Sequence, residues 1–373
     1  MKKQFLFLLI GIPGMLSAQH TLQPELNLPR VGDELFKQQV EYKDPGRSGA
    51  NVLWDFSHLT SINDSYTLDY SLAADSSTIV GTEHRTRYYY SLSGDSLLGH
   101  GYENSTTIMT NERPELLLRF PVQYGSSTFD YYSGNGKYGN RLAVSAMGTV
   151  SGKADAFGMM ILPDGDTLTN VLRVHTVKKI ASHSKPISFY GEEILLPVTN
   201  DSIDYRLAND TTILEVETCR WYTAGYRYPI FETVKSITNR RGQESEYFAT
   251  AFFYPPQDHY YLETDPENKK IVEAQNKNKE KEIQLIEGTR FNAYPNPMYT
   301  SLDVEVYIPV EAKIRIQVRS VGSQAVYLNE NKGKHAAGSY HFRFDVSHLP
   351  PTAYYLLNVW ADNYMLSETI FKQ

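Results

Sequence analysis

The sequence predicts an all-β protein: a large antiparallel, β-sandwich-like region followed by a smaller antiparallel sandwich. Three observations predict it. Apolar and polar residues alternate with period two in several runs, the pattern of strands with one buried and one wet face. Clusters of Gly, Asn and Pro interrupt those runs at short intervals, as turns between antiparallel strands do. Helical periodicity is hard to find outside one charged segment. The 373 residues are 41% hydrophobic and include 28 Tyr, 16 Phe and 3 Trp, which is too apolar and aromatic for a disordered chain. The length also exceeds the roughly 100–200 residues of one small domain.

The order of elements begins with an address. Lys2 and Lys3 precede Phe5-Leu6-Phe7-Leu8-Leu9-Ile10, and the stretch closes on Leu16-Ser17-Ala18. A charged start, a short apolar run and a small final residue are the parts of a secretory signal peptide, residues 1–18. The apolar run falls short of the ~20 residues a spanning helix needs. Cleavage between Ala18 and Gln19 is expected, with no transmembrane segment in the mature chain. Gln19 rather than a cysteine follows that point, so a lipid-anchored bacterial N-terminus is not expected. Loss of Lys2 and Lys3 takes the net charge from -7 to -9.

The mature chain divides at residues 265–288. This stretch has 11 charged residues in 24 and no aromatic one, and its few apolar residues are too sparse for a buried helical face. It reads as a solvated linker, helical in part. Before it lies a β-rich region, 19–264, forming one large or two smaller sandwiches. After it lies a second unit, 289–373. The first carries 21 basic and 30 acidic residues, the second 8 and 7. Neither holds the basic surplus that binding to phosphates requires, so nucleic acid is not the expected partner.

In the first region, Asp164-Gly165 sits between two apolar runs and predicts a hairpin. Arg220-Trp221-Tyr222-Thr223 and Tyr247–Tyr254 are strand-like, the latter closed by Pro255-Pro256. In the second, Leu302, Val304, Val306 and Ile308 alternate with polar residues, as do Ile314, Ile316 and Val318. Their apolar members form the expected core face.

Candidate chemistry in the first region is thin. Gly134-Asn135-Gly136-Lys137-Tyr138-Gly139 spells the dinucleotide fingerprint, but strand-like residues follow it where a helix is required, so a Gly-rich β-turn is expected. Ten histidines contain no HExxH pair, no metal site is predicted, and His175 reads as an exposed strand residue. Cys219, the single cysteine, excludes a disulfide framework and reads as a small buried strand residue. Glu192-Glu193 or Glu215 with Glu217 could supply a glycosidase pair, though Glu215 and Glu217 share one strand face and read as solvated. Asp164-Gly165-Asp166 lacks the rest of a calcium loop. Three triplets, Asp95-Ser96-Leu97, Asp166-Thr167-Leu168 and Asp201-Ser202-Ile203, have the form of an Asp-Ser/Thr-apolar O-glycosylation acceptor. The tyrosine groups Tyr88-Tyr89-Tyr90, Tyr131-Tyr132 and Tyr260-Tyr261 suit sheet packing first, and a sugar- or peptide-binding face second. No catalytic residue and no cofactor is predicted.

The second unit carries a resemblance. Tyr294-Pro295-Asn296-Pro297 is followed by Leu302, Val304 and Pro309, then Gly322, then Gly338 and Tyr340. Asp345-Val346-Ser347-His348-Leu349-Pro350 and Tyr354-Tyr355-Leu356 complete the series. It resembles the type A C-terminal sorting domain of the Bacteroidota type IX (Por) secretion system. Two departures are Ala353, where the family usually has glycine, and the Lys372-Gln373 end, where it often has a basic tail. The resemblance implies an Ig-like sandwich that carries cargo through the outer membrane by way of the type IX translocon. It also implies that a sortase-like protease removes the domain near the linker, often joining the cargo to surface lipopolysaccharide. Pro45–Ser57, Leu162–Gly165, Asn170–Val174, Trp221-Tyr222 and Tyr228-Pro229 resemble the cargo regions of uncharacterised type IX substrates, which lend no catalytic residue. The expected function is thus an exported protein at the cell surface or in the medium, with a non-enzymatic binding or surface role for residues 19–264. The rival readings are a secreted hydrolase with a carboxylate pair and a structural component of the outer surface.

Overall fold

A computed structural model describes residues 20–187, 198–258 and 260–373. The expected cleavage point at Ala18 and Gln19 and the Glu192-Glu193 pair lie outside the described residues. About 60% of the chain is strand and 13% helix, so the protein is all-β as its alternation requires. It divides into two units, the first reaching Ile271 and the second running from Val272 to Gln373.

The first unit contains the short helix α1 (Pro24–Asn27) and strands β1 (Glu34–Val40), β2 (Gly49–Asp55), β3 (Ser61–Leu72), β4 (Ile79–Glu83), β5 (Thr86–Ser93), β6 (Ser96–Glu103) and β7 (Thr107–Arg119). It continues with β8 (Ser127–Tyr138), β9 (Leu142–Ile161), β10 (Thr167–Pro186), helix α2 (Asn200–Asn209), β11 (Thr212–Tyr222), β12 (Phe231–Arg240) and β13 (Gln243–Phe253). The strand order β10-β11-β12-β13-β1-β3-β4-β5-β6-β7-β8-β9 closes because β9 also pairs with β10. The result is one ring of twelve antiparallel strands, with β2 added parallel to β9. The Asp164-Gly165 turn forms the hairpin that performs this closure, with Gly165 at φ 86°. β2 occupies the part of β9 beyond β8, pairing with residues 156–161, and its backbone comes so close that a Cβ on Gly158 would sit 1.8 Å from the Val52 carbonyl oxygen.

Alternation gives each strand two faces. On β11, Trp221 and Cys219 point away from Arg220 and Tyr222. Trp221 is fully buried against Trp54, Phe56 and Phe231, with ring centroids 5.6–6.0 Å apart. On the other face, Leu172, Val174 and Tyr222 join Leu22, Leu97, Phe120 and Val122 in an apolar cluster. Leu35, Leu68, Phe252 and Tyr254 form a second cluster with Tyr228 and Tyr261.

A buried polar latch ties the N-terminal segment to the end of this unit. Arg227, between β11 and β12, donates from Nε and Nη2 to both oxygens of Asp265 at 2.7 and 2.9 Å. It also donates to the carbonyls of Leu28 and Glu25 at 3.0 and 2.9 Å. Asn268 donates from Nδ2 to Asp265 and to the Leu26 carbonyl at 2.9 and 3.0 Å. Arg30 pairs with Asp33, which accepts from the Tyr228 hydroxyl at 2.8 Å. Burial alone would raise the Asp265 carboxyl, but the hydrogen bonds from Arg227 and Asn268 outweigh it and hold it below the usual carboxylate range.

Asp265 also caps helix α3 (Pro266–Gly288), accepting from the Asn268 amide at 3.4 Å with Pro266 in the first helical position. The charged stretch read as a linker is therefore helical along its length. The helix begins in the first unit and ends in the second, where Leu285 joins the core.

The second unit holds β14 (Arg290–Tyr294), β15 (Ser301–Ile308), β16 (Ala312–Ser320), β17 (Val326–His335), β18 (Gly338–Asp345), β19 (Ala353–Ala361) and β20 (Tyr364–Lys372). They form a three-stranded sheet, β14-β15-β18, and a four-stranded one, β17-β16-β19-β20. Leu302, Val304, Val306, Ile308, Ile314, Ile316 and Val318 are all at most 1% exposed, so the alternating residues are the core face.

Replacing Arg227 by Met takes from Asp265 its bidentate charge partner, leaving it the Asn268 hydrogen bonds, removes the donor to two carbonyls, and should lower unfolding stability by about 3–5 kcal/mol, read as a shift in the guanidinium midpoint. The contribution of Asp265 should be complete above its unfolded value of about 4 and fade as pH falls through the lower folded one, because its folded carboxyl is the more acidic.

Candidate functional site

The inner wall of the ring carries a group of charges and tyrosines that its strands bring together from remote parts of the chain. Register sets Lys37 on β1 opposite Tyr66 on β3, Arg220 on β11 opposite Glu232 on β12, and Glu232 opposite Phe252 on β13. Across the ring, Tyr88 on β5 stands opposite Tyr102 on β6, and Tyr90 lies two residues further along β5. Tyr70, Glu83, Tyr222 and Tyr254 complete the group.

Two ion pairs form its centre. Lys37, 2% exposed, pairs with Glu83, and Arg220 pairs through Nε with Glu232. The Lys37 ammonium also lies 4.2 Å from the Phe252 ring centroid, 5.1 Å from that of Tyr66 and 5.5 Å from that of Tyr254. The aromatic faces provide an attractive field for a cation that has lost most of its water. Burial by itself would raise Glu232, but Arg220 first, then Lys37, hold it below the usual carboxylate range. Burial likewise works against the Arg220 charge and is overcome by Glu232, so its affinity for the proton rises. A third pair, Lys178 with Glu115, stands further along β10, with the Lys178 ammonium 4.4 Å from the Tyr132 ring centroid.

The phenols around these pairs are all shifted in one direction. Burial pushes Tyr66 and Tyr88 up to about 12, raises Tyr102, and carries Tyr70 and Tyr254 well above the ordinary value. It raises Tyr222 to about 12 and Tyr90 further, in both cases against the opposing charge of Arg220. Arg220 on β11 and Tyr90 on β5 are six strands apart in a ring of twelve, on opposite walls. Tyr90 also packs against the cluster that holds Tyr222, so side chains from opposite walls meet inside the ring.

This interior is not sealed along its whole length. Arg220 keeps 39% of its side-chain surface accessible. Along β11 every residue from Ile213 to Thr218 is half-buried, and so is every residue of β9 from Leu142 to Met147. A strand sealed on one face would alternate instead, so at this end of the ring both faces meet solvent. The opposite end is closed by the two apolar clusters. The hydroxyls of Tyr66, Tyr70, Tyr88, Tyr90, Tyr102, Tyr222 and Tyr254 bond to no described residue, and none is among the sealed polar atoms without a partner, where Tyr132 is the one tyrosine.

The residues singled out in the sequence fall elsewhere. Glu215 and Glu217 lie on the outer face of β11, where Glu215 pairs with Lys179 at 3.4 Å and Glu217 stands opposite Lys235. Cys219 is buried, and burial pushes its thiol up to about 12. His175 is half-buried in β10 rather than exposed, opposite Cys219. The expected Gly-rich turn is corrected: Gly134 and Gly136 lie within β8, where a Cβ on Gly136 would sit 1.9 Å from the Ile108 carbonyl oxygen, and Gly139 alone of the three lies at the turn. Two of the segments compared with cargo regions, Pro45–Ser57 and Asn170–Val174, meet. Arg173 donates to both oxygens of Asp155 at 2.8 Å and to the Gly46 carbonyl at 3.1 Å, while Trp54 Nε1 donates to the Pro45 carbonyl at 3.1 Å. They form a structural clasp under Trp221.

In the second unit, the Tyr294 hydroxyl donates to Glu305 at 2.7 Å. Between Pro295 and Pro297, Asn296 accepts from the Phe371 amide at 3.0 Å, fastening this loop to the last strand. Gly322 sits in the loop after β16, and Gly338 opens β18 at φ 150°. The Tyr340 hydroxyl donates to the Ala336 carbonyl at 2.8 Å, and Asp345 accepts from the Ser347 amide at 2.9 Å. Leu349 is in the core, the Pro350 carbonyl accepts from Tyr355 at 2.7 Å, and Tyr354 is 61% exposed against the Phe371 ring. Just before this strand, Thr352 takes a positive φ, at 56°. These residues are spread over loops and strand ends and form no common pocket. An open depression of about 370 Å³ on the β14-β15-β18 sheet is lined by Arg290, Glu305, Tyr307, Tyr340 and His341 among others.

Among the described residues no group of His, Cys, Asp and Glu could hold a metal ion, and no helix is long and apolar enough to cross a membrane. Compared with models of protein families and with the sequences of curated proteins, the chain matches none.

Lys37, Glu83, Arg220 and Glu232 were not marked by sequence reasoning, although Arg220 and Tyr222 lie in a segment recognised as a strand. Replacing Glu83 by Leu should lower stability by about 3–5 kcal/mol, because it strands the Lys37 charge. Adding Lys37→Met should restore most of that loss, as measured by chemical denaturation.

Proposed function

We propose that the chain is an exported binding protein: the ring of the first unit takes a ligand in its open, tyrosine-lined interior, and the second unit directs export. The observation that carries the binding reading is the set of seven inner tyrosine hydroxyls that have no hydrogen-bond partner among the described residues and are not among the sealed polar atoms. Buried polar groups are normally satisfied, and a surface of donors and acceptors set in a recess with its own charges already paired is arranged for recognition. Catalysis is less well supported. A glycosidase needs one carboxyl kept protonated, whereas Glu232 is held ionised by Arg220.

The sorting reading rests on the ordered series from Tyr294 to Tyr354 and on the charged stretch before it. That the second unit is a two-sheet sandwich with a core of its own is compatible with a separable passenger tag. On this reading the type IX translocon moves the chain across the outer membrane. A sortase-like protease then cuts within α3, whose residues 273–280 are exposed, leaving the ring free or attached to surface lipopolysaccharide.

Deletion of residues 289–373 should trap the protein in the periplasm, as seen by fractionation and surface labelling; unchanged surface display would overturn the sorting reading. Purified chain lacking residues 1–18 should bind without turnover, and hydrolysis of glycans or peptides at ordinary enzymatic rates would overturn the binding reading.

A further inference from the structure

We infer that the outer face of the four-stranded sheet in the second unit binds an acidic polysaccharide. Alternation along β16 sends Ile314, Ile316 and Val318 into the core and Lys313, Arg315, Gln317 and Arg319 to the opposite side. On β19, Trp360 stands opposite Arg315, Asn358 opposite Gln317 and Leu356 opposite Arg319, with Tyr354 further along the same side. The charge on this face has one sign. Of the seven carboxylates after α3, Asp303, Glu305 and Asp345 belong to the other sheet. Glu330 and Glu368 stand opposite the core residues Ile316 and Leu357, on the inner side of their strands. The last two lie at the rim with partners of their own: Glu311 pairs with Lys334 at 2.7 Å and Asp362 with Lys281 at 2.6 Å. Arg315 and Arg319 form no ion pair among the described residues, and Lys313 donates to Asp362 from its backbone amide at 2.8 Å. A row of three cations in a chain of net charge -7 selects an anion by complementarity.

Lys313 to Arg319 spans six residues, about 20 Å of strand, so the row suits a polymer with repeated charges rather than a single ion. The Arg315 guanidinium lies 3.8 Å from the Trp360 ring centroid, which holds it on the sheet and leaves its N–H groups for a carboxylate. Across the middle of the face, Ser367 Oγ donates to Asn358 Oδ1 at 2.7 Å and Asn358 Nδ2 to Gln317 Oε1 at 3.4 Å. This ladder leaves Gln317 Nε2 to donate to a ligand hydroxyl. Tyr354, 61% exposed with its ring centroid 4.9 Å from that of Phe371, offers an aromatic surface to the C–H face of a sugar ring. A fatty acid brings one charge and no hydroxyls. An acidic peptide binds by adding to a strand edge, whereas this surface is the middle of a sheet. DNA carries a charge for every ~1.7 Å of duplex, far more than three cations offset in a chain that is itself negative.

The test is biolayer interferometry on the immobilised chain, residues 19–373, with polygalacturonate, neutral pullulan, polyglutamate and single-stranded DNA. Polygalacturonate should bind most tightly, with an affinity that falls as salt is raised, and pullulan should not bind. Lys313→Gln, Arg315→Gln and Arg319→Gln combined should weaken it about tenfold. Tyr354→Ser, which leaves every charge in place, should weaken it about threefold. Arg290→Gln with Arg343→Gln, on the other sheet, should leave the affinity as it is, and unchanged unfolding midpoints show that all the variants are folded. Polygalacturonate binding that survives the triple substitution, or falls equally with the Arg290 and Arg343 pair, overturns this face as the site. Polyglutamate or DNA bound as tightly as polygalacturonate overturns the saccharide, and no binding of polygalacturonate overturns the whole inference. None of these outcomes bears on the ring interior or on sorting.

Discussion

Closure of the twelve-stranded sheet is the constraint on which the first unit depends. The β9–β10 hairpin, paired from Leu142–Pro186 to Ile161–Thr167, joins what would otherwise be two long exposed edges. Once the edges are joined, every ring strand has a neighbour on each side, and no row of unpaired amides remains on the ring to template aggregation. Closure also converts the two faces of a sheet into an inside and an outside. A residue then meets either the opposite wall or the surroundings, and one-residue shifts of register exchange the two. The bulges recorded in β1, β6, β7 and β10 bend the ring and re-aim side chains within that rule.

An interior formed this way need not be apolar, and this one divides along its length. At one end Leu22, Leu97, Phe120, Val122, Leu172 and Val174 exclude water, and the Arg227–Asp265 latch holds the closing segments in place. Toward the other end, charges replace aliphatic side chains. A lone Lys37 or Glu232 there would be expensive to bury, so each sits beside an opposite charge and an aromatic neighbour. The pairs contribute little net stability compared with apolar residues of similar size. Their presence is better explained by what they do to the interior, which they leave polar and uncharged overall.

How much of this is legible in the sequence differs between the two units for a physical reason. In the second unit each sheet has one wet face, so the alternation of Leu302 to Ile308 with Asp303, Glu305 and Tyr307 maps directly onto core and solvent. In the ring, alternation is equally visible but does not say which face points inward. Arg220 and Glu232 have the pattern of wet-face charges, and Trp221 that of a core residue, yet Arg220 and Glu232 line the interior while Trp221 is buried on the outside under Trp54 and Phe56. Closure itself leaves no local mark, because β9 and β10 need only a common Asp-Gly turn. Helix α3 was partly legible: its sparse apolar residues argued against a buried face, but the Asp265-Pro266 start is a helix signal that its composition obscured. Pro295, Pro297, Gly322 and Leu349-Pro350, legible as turn residues, lie between strands.

The abundance of tyrosine, 28 residues in all, follows from the same geometry. A closed ring must fill the space between its walls, and aromatic rings do so with little loss of side-chain entropy. Phenylalanine would serve as well where the space is sealed, as Phe120 and Phe231 do. Where it is open, a ring with a hydroxyl on its tip packs against its neighbours at the base and meets water or ligand at the edge. Tyr70 shows the division: its ring stacks on Tyr228 at 5.4 Å, while its hydroxyl has no hydrogen-bond partner among the described residues. Packing and recognition are therefore not competing explanations of these tyrosines. The ring faces build the wall, and the hydroxyls give that wall its chemistry.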